Sequence, residues 1–370
     1  MKKRILFLLV LVLALLIFTS TLVYADEDYI EPLTEKAIIL EVGEILTNDQ
    51  SSGFIQTQNV KLKIISGKYK GEVRDIENHL SDNVVYNIIV EEGDKVVVMI
   101  EEYGDDFDVF IADYSRTDYM LYLTIFFILL MLVIGKTKGL KVIISLSLTI
   151  GSIFYILLPQ LLKGADPIPI SIGIAIGVTV ITIFLVSGIN SKSAAAIIGT
   201  SIGVVIAGLI SYYVGLKINL TGLSAEEATM LMYIPQEITF DFKNLLFSGI
   251  ILGALGAIMD VGMSIASAID EIHNANNSLT SKELFSSGMN VGKDVMGTMT
   301  NTLILAYTGY SNPLLLLFTA YETSLVKVLN LDIIATEIIR SLSGSIGLVL
   351  TIPITAFIAS VLIKREKHKK

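Results

Sequence analysis

The chain has 370 residues, of which 53% are apolar and 17% charged, and a mean hydropathy of +0.69; soluble domains run at roughly 45–50% and 25%, so an ordinary cytosolic enzyme is excluded. With no Cys, the sequence also excludes disulfide staples, thiolate metal sites, iron–sulfur clusters and thiol nucleophiles. The net charge of −9 is unevenly held: 26–118 carries 22 Asp or Glu against 8 Lys or Arg, while the remainder carries 14 against 19, so an acidic body that repels nucleic acid and anionic lipid is joined to a mildly basic one.

Met1-Lys2-Lys3-Arg4 forms a positive start, 5–19 is apolar, and Val23-Tyr24-Ala25 places small residues three and one before a cut. The expectation is a signal peptide over 1–25 that is cleaved after Ala25, with an uncleaved anchor as the alternative; in both cases Asp26 onward is exported. The period then becomes two. Runs at 36–42, 60–64, 72–76, 84–90, 95–100 and 108–112 are rich in strand formers, and Gly43, Ser66-Gly67, Gly71, Glu92-Gly93-Asp94 and Gly104 punctuate them. They predict a small exported all-β domain over 26–118, a barrel or sandwich of OB-like or SH3-like form.

From residue 119 to 370 the pattern is an α-helical polytopic membrane bundle. Seven apolar runs of membrane length occur, at 119–135, 142–162, 168–189, 194–214, 244–270, 295–318 and 342–363. Alternating sides from an exported residue 118 puts Lys136, Lys138, Lys141, Lys192, Lys282, Lys293 and the basic tail from Lys364 inside, as the positive-inside rule requires. In the absence of Trp the interfacial belt must be Tyr, and Tyr119, Tyr122, Tyr155, Tyr212, Tyr213, Tyr307, Tyr310 and Tyr321 fall toward the outer ends. The expected topology is multi-pass, with the β domain outside and the C-terminus cytoplasmic.

The fifth run carries the most informative pattern. Gly249, Gly253, Gly256, Asp260, Ser264, Ser267 and Glu271 recur at intervals of three and four, one stripe on one helix face. The glycines permit close helix contact, and an intramembrane carboxylate needs a partner, a proton or water. In the sixth run Asn290, Asp294, Gly297, Thr298 and Asn301 form a polar face expected to pack on the fifth. Together Asp260, Ser264, Ser267, Glu271, Asp294, Thr298 and Asn301 would line a transport path; a seam of ordinary interhelical hydrogen bonds is the structural alternative. Thr280-Ser281-Lys282-Glu283 has the form of a capping box and predicts a short amphipathic helix between the two spans. His273 is expected as a solvated loop histidine. No Walker loop, nucleophile elbow or zincin motif occurs, so no catalytic residue, metal site or cofactor is assigned and no enzymatic activity is expected.

Gly67-Lys68-Tyr69-Lys70-Gly71-Glu72, Gly93-Asp94-Lys95-Val96, the run from Gly253 to Asp260 and on to Glu271, Met296-Gly297-Thr298-Met299-Thr300-Asn301-Thr302-Leu303 and Gly344-Ser345-Ile346-Gly347-Leu348 resemble the YibE/F-like family of bacterial multi-pass membrane proteins. The resemblance covers nearly the whole mature chain and implies a plasma-membrane protein with an exported amino-terminal domain; it implies no substrate. A weaker likeness is to the SecD/SecF and resistance-nodulation-division exporters, where an Asp-bearing span also precedes a cytoplasmic segment and a Thr-rich span. That likeness implies proton coupling at Asp260, although the order and number of spans differ.

Two functions follow as expectations. The first is a permease or exporter component with a polar intramembrane path for an ion, proton or small solute. The second is a non-transporting envelope protein whose exported domain binds a protein or small-solute partner or senses. The lipid bilayer is a partner under both, and small-residue faces allow a homo-oligomer without demanding one.

Overall fold

The computed structural model describes residues 33–47, 56–81, 87–104, 106–234, 238–322 and 324–367. The expected signal segment 1–25 lies outside the described residues. Two compact units divide between Leu130 and Met131.

The first unit is a five-stranded antiparallel sheet: β1 (Leu33–Thr47), β2 (Gln56–Ile64), β3 (Val73–Leu80), β4 (Lys95–Tyr103) and β5 (Asp106–Tyr114), in the order β3-β2-β1-β4-β5. Period-two alternation sends Ala37 and Ile39, Val60, Leu62 and Ile64, Val96, Val98 and Ile100, and Phe107 and Val109 to one side, all of them buried. The register sets these rows against each other, Ala37 opposite both Ile64 and Val96, and Ile39 opposite Leu62. Register shifts between Ile39 and Glu41 and between Val42 and Ile45 mark irregularities that bend β1. The sheet curls until its edge strands meet through side chains. Arg74 on β3 reaches Asp106 at 3.2 Å and lies 4.0 Å over the Phe107 ring, and Tyr69 stacks on that ring at 4.0 Å. Among the described residues no backbone ladder joins β3 to β5, so the sheet is a half-barrel.

Among the described residues five strands form, where six were expected. The described part of the sixth, 87–90, carries no ladder, although Val90 is buried. Amide side chains take its backbone groups instead: Gln58 Nε2 donates to the Val90 carbonyl at 2.9 Å, the Val90 N–H donates back to Gln58 Oε1, and Asn78 Nδ2 donates to the Ile88 carbonyl at 2.7 Å. An apolar alternation describes this segment as well as it describes a strand.

The second unit is helical. Its elements run α1 (Thr117–Ser152), which begins in the first unit, a π turn, α2 (Leu158–Leu161), α3 (Pro167–Ser187), α4 (Ser191–Lys217), α5 (Glu226–Met230), α6 (Phe242–Ala275), α7 (Ser281–Tyr310), α8 (Asn312–Ala320), α9 (Leu325–Leu329) and α10 (Asp332–Lys367). Among the described residues, five helical stretches are long and apolar enough to cross a membrane, six when α7 and α8 count as one bent span. Seven were expected, and the difference lies in the stretch Thr117–Leu161. Its 45 residues would extend about 68 Å as one helix, over twice a hydrocarbon core of about 30 Å. It is broken at Lys136, where φ is 48° and ψ −124°, between the expected runs 119–135 and 142–162. A Cβ on Gly139 would stand 2.0 Å from the Met131 carbonyl oxygen, so only glycine admits the close approach after the break.

The capping box forms as expected, with Thr280 N–H donating to Glu283 Oε2 at 2.8 Å and Glu283 N–H donating to Thr280 Oγ1 at 3.3 Å. It opens α7 itself, however, and not a separate short helix, because nothing between Met289 and Met296 breaks the chain. The break comes at Ser311, where Pro313 supplies no N–H and α8 leaves at 60°.

The core sits between α4, α6 and α10, whose contact is made by small residues. A Cβ on Gly199 would lie 1.9 Å from Thr355 Oγ1, on Gly203 1.8 Å from Thr351 Oγ1, on Gly262 2.5 Å from Thr200 Oγ1, and on Gly347 2.7 Å from the Gly203 carbonyl. Helices in lipid gain no hydrophobic drive from meeting each other, so backbone approach of this kind supplies the attraction. Helix ends alternate. At one end Lys192 pairs with Asp270 at 3.3 Å and Lys364 Nζ donates to the Asn277 and Leu279 carbonyls; at the other Thr221 Oγ1 donates to Asp332 and Asn244 Nδ2 to Asp166.

Candidate functional site: a groove around Asp260

The inward face of α6 is apolar: Phe247, Ile250, Ile251, Ala254, Ile258, Val261, Ile265, Ala266 and Ile269 are all buried. The stripe from Gly249 to Glu271 therefore lies on the opposite face, where Asp260, Ser264 and Glu271 are exposed and Ser267 is half-buried. Its middle is roofed by two other helices. Asp260, Gly253, Gly256, Met259 and Met263 of α6 line a cavity of about 530 Å³ together with Ser145 and Thr149 of α1 and Thr182 and Ser187 of α3.

The hydroxyls come from elements that sequence spacing does not connect. Ser145 Oγ and Thr182 Oγ1 share a hydrogen bond of 2.5 Å that ties α1 to α3, Thr149 Oγ1 donates to the Ser145 carbonyl at 2.9 Å, and Ser187 Oγ donates to Met263 Sδ at 3.7 Å. Ser171 and Ser248 share a hydroxyl bond that holds α3 on α6 nearer the other end. Asp260 itself makes no hydrogen bond or ion pair among the described residues, and no basic side chain lines its cavity. It lies ten residues from Asp270 on α6, about 15 Å along the axis, and near the middle of the 34-residue helix. A carboxyl at that depth without a cation beside it needs a proton, water or a bound ion, and the groove has room and hydroxyls for each.

The sixth-span residues are placed differently from the expectation. Asp294, Gly297, Thr298 and Asn301 lie on the exposed face of α7 and do not line the Asp260 groove. Thr298 Oγ1 turns back to the Val295 carbonyl of its own helix. The face of α7 that packs is Leu284, Gly288, Gly292 and Leu303: a Cβ on Gly288 would stand 2.5 Å from Ile269 Cδ1 and on Gly292 2.2 Å from Ile352 Cγ2. Close backbone approach, not polarity, chose the face, and Gly288 with Gly292 at a spacing of four was the sequence signal for it.

The expected packing role of the stripe glycines also changes. Around Gly249, Gly256 and Gly297 nothing in the described chain lies within 4 Å of an added Cβ, whereas at Gly253 the Tyr307 hydroxyl would be 2.9 Å away. His273 is 2% exposed in the last turn of α6, four residues after Ile269, because that helix continues to Ala275 beyond the expected end of the span. Sequence reasoning also passed over Asp270, which holds Lys192, and the pair of Glu337 and Arg340, 2.8 Å apart on α10.

A half-barrel of five strands, followed by long apolar helices packed through glycines and hydroxyls, defines a multi-pass membrane protein with an amino-terminal β unit. The family model described as YibE/F-like protein matches residues 123–365, and that for the YibE/F family N-terminal domain matches residues 33–114. The chain belongs to the YibE/F family. No curated protein and no solved structure matches it.

Proposed function

We propose that the helical unit is a permease or exporter component of the bacterial plasma membrane, passing a proton, ion or small solute along the groove at Asp260. The observation that carries the reading is a mid-span carboxyl with no hydrogen bond or ion pair among the described residues, facing a cavity edged by Ser145, Thr149 and Thr182. A structural polar seam would spend that carboxyl on a neighbouring helix; this one is left to a mobile species. Ser264, Ser267 and Glu271 continue the polar face toward the Lys192–Asp270 end. The same end gathers Lys192 and Lys364, which supports a cytoplasmic C-terminus and an external β unit under the positive-inside rule. No catalytic role is assigned to any residue.

Reconstitution tests the reading. Liposomes containing the protein should show proton or cation flux under an imposed gradient, and Asp260→Asn should bring that flux to the level of empty liposomes. Equal flux in the wild type and Asp260→Asn contradicts it. The second reading, an envelope protein whose β unit binds a partner, is favoured by one feature: a groove of about 430 Å³ on the sheet is bordered by Glu41, Asp75 and Glu77 and by Lys61, and since Lys61 pairs with Glu41 at 3.5 Å, Asp75 and Glu77 remain to attract a basic ligand. It would be preferred if wild-type liposomes show no flux while the β unit captures cationic peptides.

A further inference from the structure

Two cavities flank one contact. Tyr307 of α7 touches α6 at Gly253, where its hydroxyl is 2.9 Å from the position of a Cβ. Gly253 lines the Asp260 groove, while Tyr307 lines a second cavity of about 380 Å³ formed by α7, α8, α9 and α10. Gly253 and Asp260 are seven residues apart, the same face of α6 and about 10 Å along its axis.

Into the second cavity α10 brings Glu337, whose side chain is 14% exposed. Its Oε1 accepts from Arg340 Nη1 at 2.8 Å, whereas Oε2 is buried with no hydrogen-bond partner among the described residues. Arg340 in turn lies 5.8 Å from the centre of the Tyr307 ring. Most of the other lining side chains are apolar, among them Ile304, Leu315, Val328 and Ile338. Glu337 is five residues into α10, about 7 Å from the end marked by the Asp332–Thr221 bond. Asp260 and Glu337 are thus approached from opposite ends of the bundle. The cavity around Glu337 has the volume of about ten waters, but its few oxygen atoms are poor ligands for a metal cation, which needs six or more.

We propose that Glu337 and Tyr307 form the second half of a proton path through Asp260, with the Tyr307–Gly253 contact as the constriction between two wet cavities. The proposal rests on the transport reading above and fixes its mobile species as the proton. A proton entering the second cavity adds to Glu337 Oε2, giving a carboxylic acid. That acid passes its proton, directly or through a cavity water, to the Tyr307 hydroxyl oxygen as the hydroxyl releases its own proton to water in the Asp260 groove. Glu337 returns to the carboxylate, Tyr307 stays neutral, and the Asp260 carboxylate takes the proton; rotation of the phenolic O–H resets the relay. Arg340 is a positioning residue that holds Oε1 and leaves Oε2 as the acceptor.

The test is proton uptake into liposomes carrying the full chain and an internal pH dye, driven by a potassium diffusion potential. Asp260→Asn should match empty liposomes, and Glu337→Gln and Tyr307→Phe should each fall at least tenfold below wild type, with Glu337→Asp recovering part of the rate. Tyr307→Phe keeps the ring and its packing, so its loss cannot be ascribed to misfolding. Because the chain has no Cys, Ser341→Cys and Thr182→Cys give clean thiol reporters, expected to react with a charged maleimide from opposite faces of the membrane. Wild-type flux in both Glu337→Gln and Tyr307→Phe, with Asp260→Asn inactive, overturns the proposal and leaves the transport reading standing. Labelling of both thiols from one face, or flux carried by sodium alone, also overturns it. Wild-type liposomes indistinguishable from empty ones would remove both.

Discussion

Replacing Gly203 by Ala adds one methyl group at the tightest point between α4 and α10. The new Cβ would stand 1.8 Å from Thr351 Oγ1, 3.0 Å from the Gly347 carbonyl and 3.1 Å from Ile258 Cγ2. Thr351 Oγ1 donates to the Gly347 carbonyl at 2.8 Å, and a β-branched side chain in a helix has few other χ1 positions, so relief by rotation sacrifices that bond, at about 1 kcal/mol. The alternative is to move α10 away, and overpacking of this kind costs about 1–3 kcal/mol. Against this, Ala is favoured over Gly within a helix by about 1 kcal/mol. The net expectation is a loss of up to about 2 kcal/mol, set by whichever route is cheaper. Gly249→Ala is the control: nothing lies within 4 Å of its Cβ, so only the gain of up to about 1 kcal/mol remains. Reversible unfolding in mixed micelles with increasing dodecyl sulfate reads both. Gly203→Ala is expected to be less stable than Gly249→Ala; a Gly203→Ala protein stabilised as much as Gly249→Ala would refute the packing argument.

The β unit should weaken in acid. Lys68, then Tyr69, hold the Glu102 carboxyl below its ordinary range by hydrogen bonding; the Phe107 N–H, then Arg74, do so for Asp106, and Arg116, then the Tyr114 N–H, for Asp113. A carboxyl that binds its proton less readily when folded adds stability above its unfolded value and loses it as the pH falls toward the folded one. Thermal melts of segment 26–118 should therefore be flat between about pH 5 and 7 and decline below about pH 4.5; a melting temperature that rises on acidification would contradict this. At the basic end of the bundle, Lys192→Met leaves Asp270 half-buried and unpaired and should cost about 1–2 kcal/mol, most of it recovered in the double variant with Asp270→Asn. Additive losses in that double-mutant cycle would show that the pair does not interact.

Much of the architecture was legible because burial and period are local properties. The alternations at 36–42, 60–64 and 95–100 became β1, β2 and β4, and the apolar runs became helices. The capping box at Thr280 appeared where its four residues stand. What failed depended on partners distant in sequence. The alternation through Ile88 and Val90 could not reveal that Gln58 and Asn78 would take the place of a neighbouring strand. Asp260 was recognisable as a carboxyl in an apolar run, but its hydroxyl neighbours Ser145, Thr149 and Thr182 look like ordinary residues in their own spans and acquire meaning only when α1 and α3 close over α6. On α7 polarity points to one face, whereas the tightest contacts are made through Gly288 and Gly292 on another, and Asp294, Thr298 and Asn301 stay exposed.

Infrared difference spectroscopy of the reconstituted protein across a pH step would examine the mid-span acid without replacing it. A carboxyl C=O band should appear on acidification, shift in heavy water because the groove is wet, and vanish in Asp260→Asn. A spectrum identical in wild type and Asp260→Asn would mean that this side chain does not titrate, and a band indifferent to heavy water that it does not exchange with solvent; either result would rule out conduction through it.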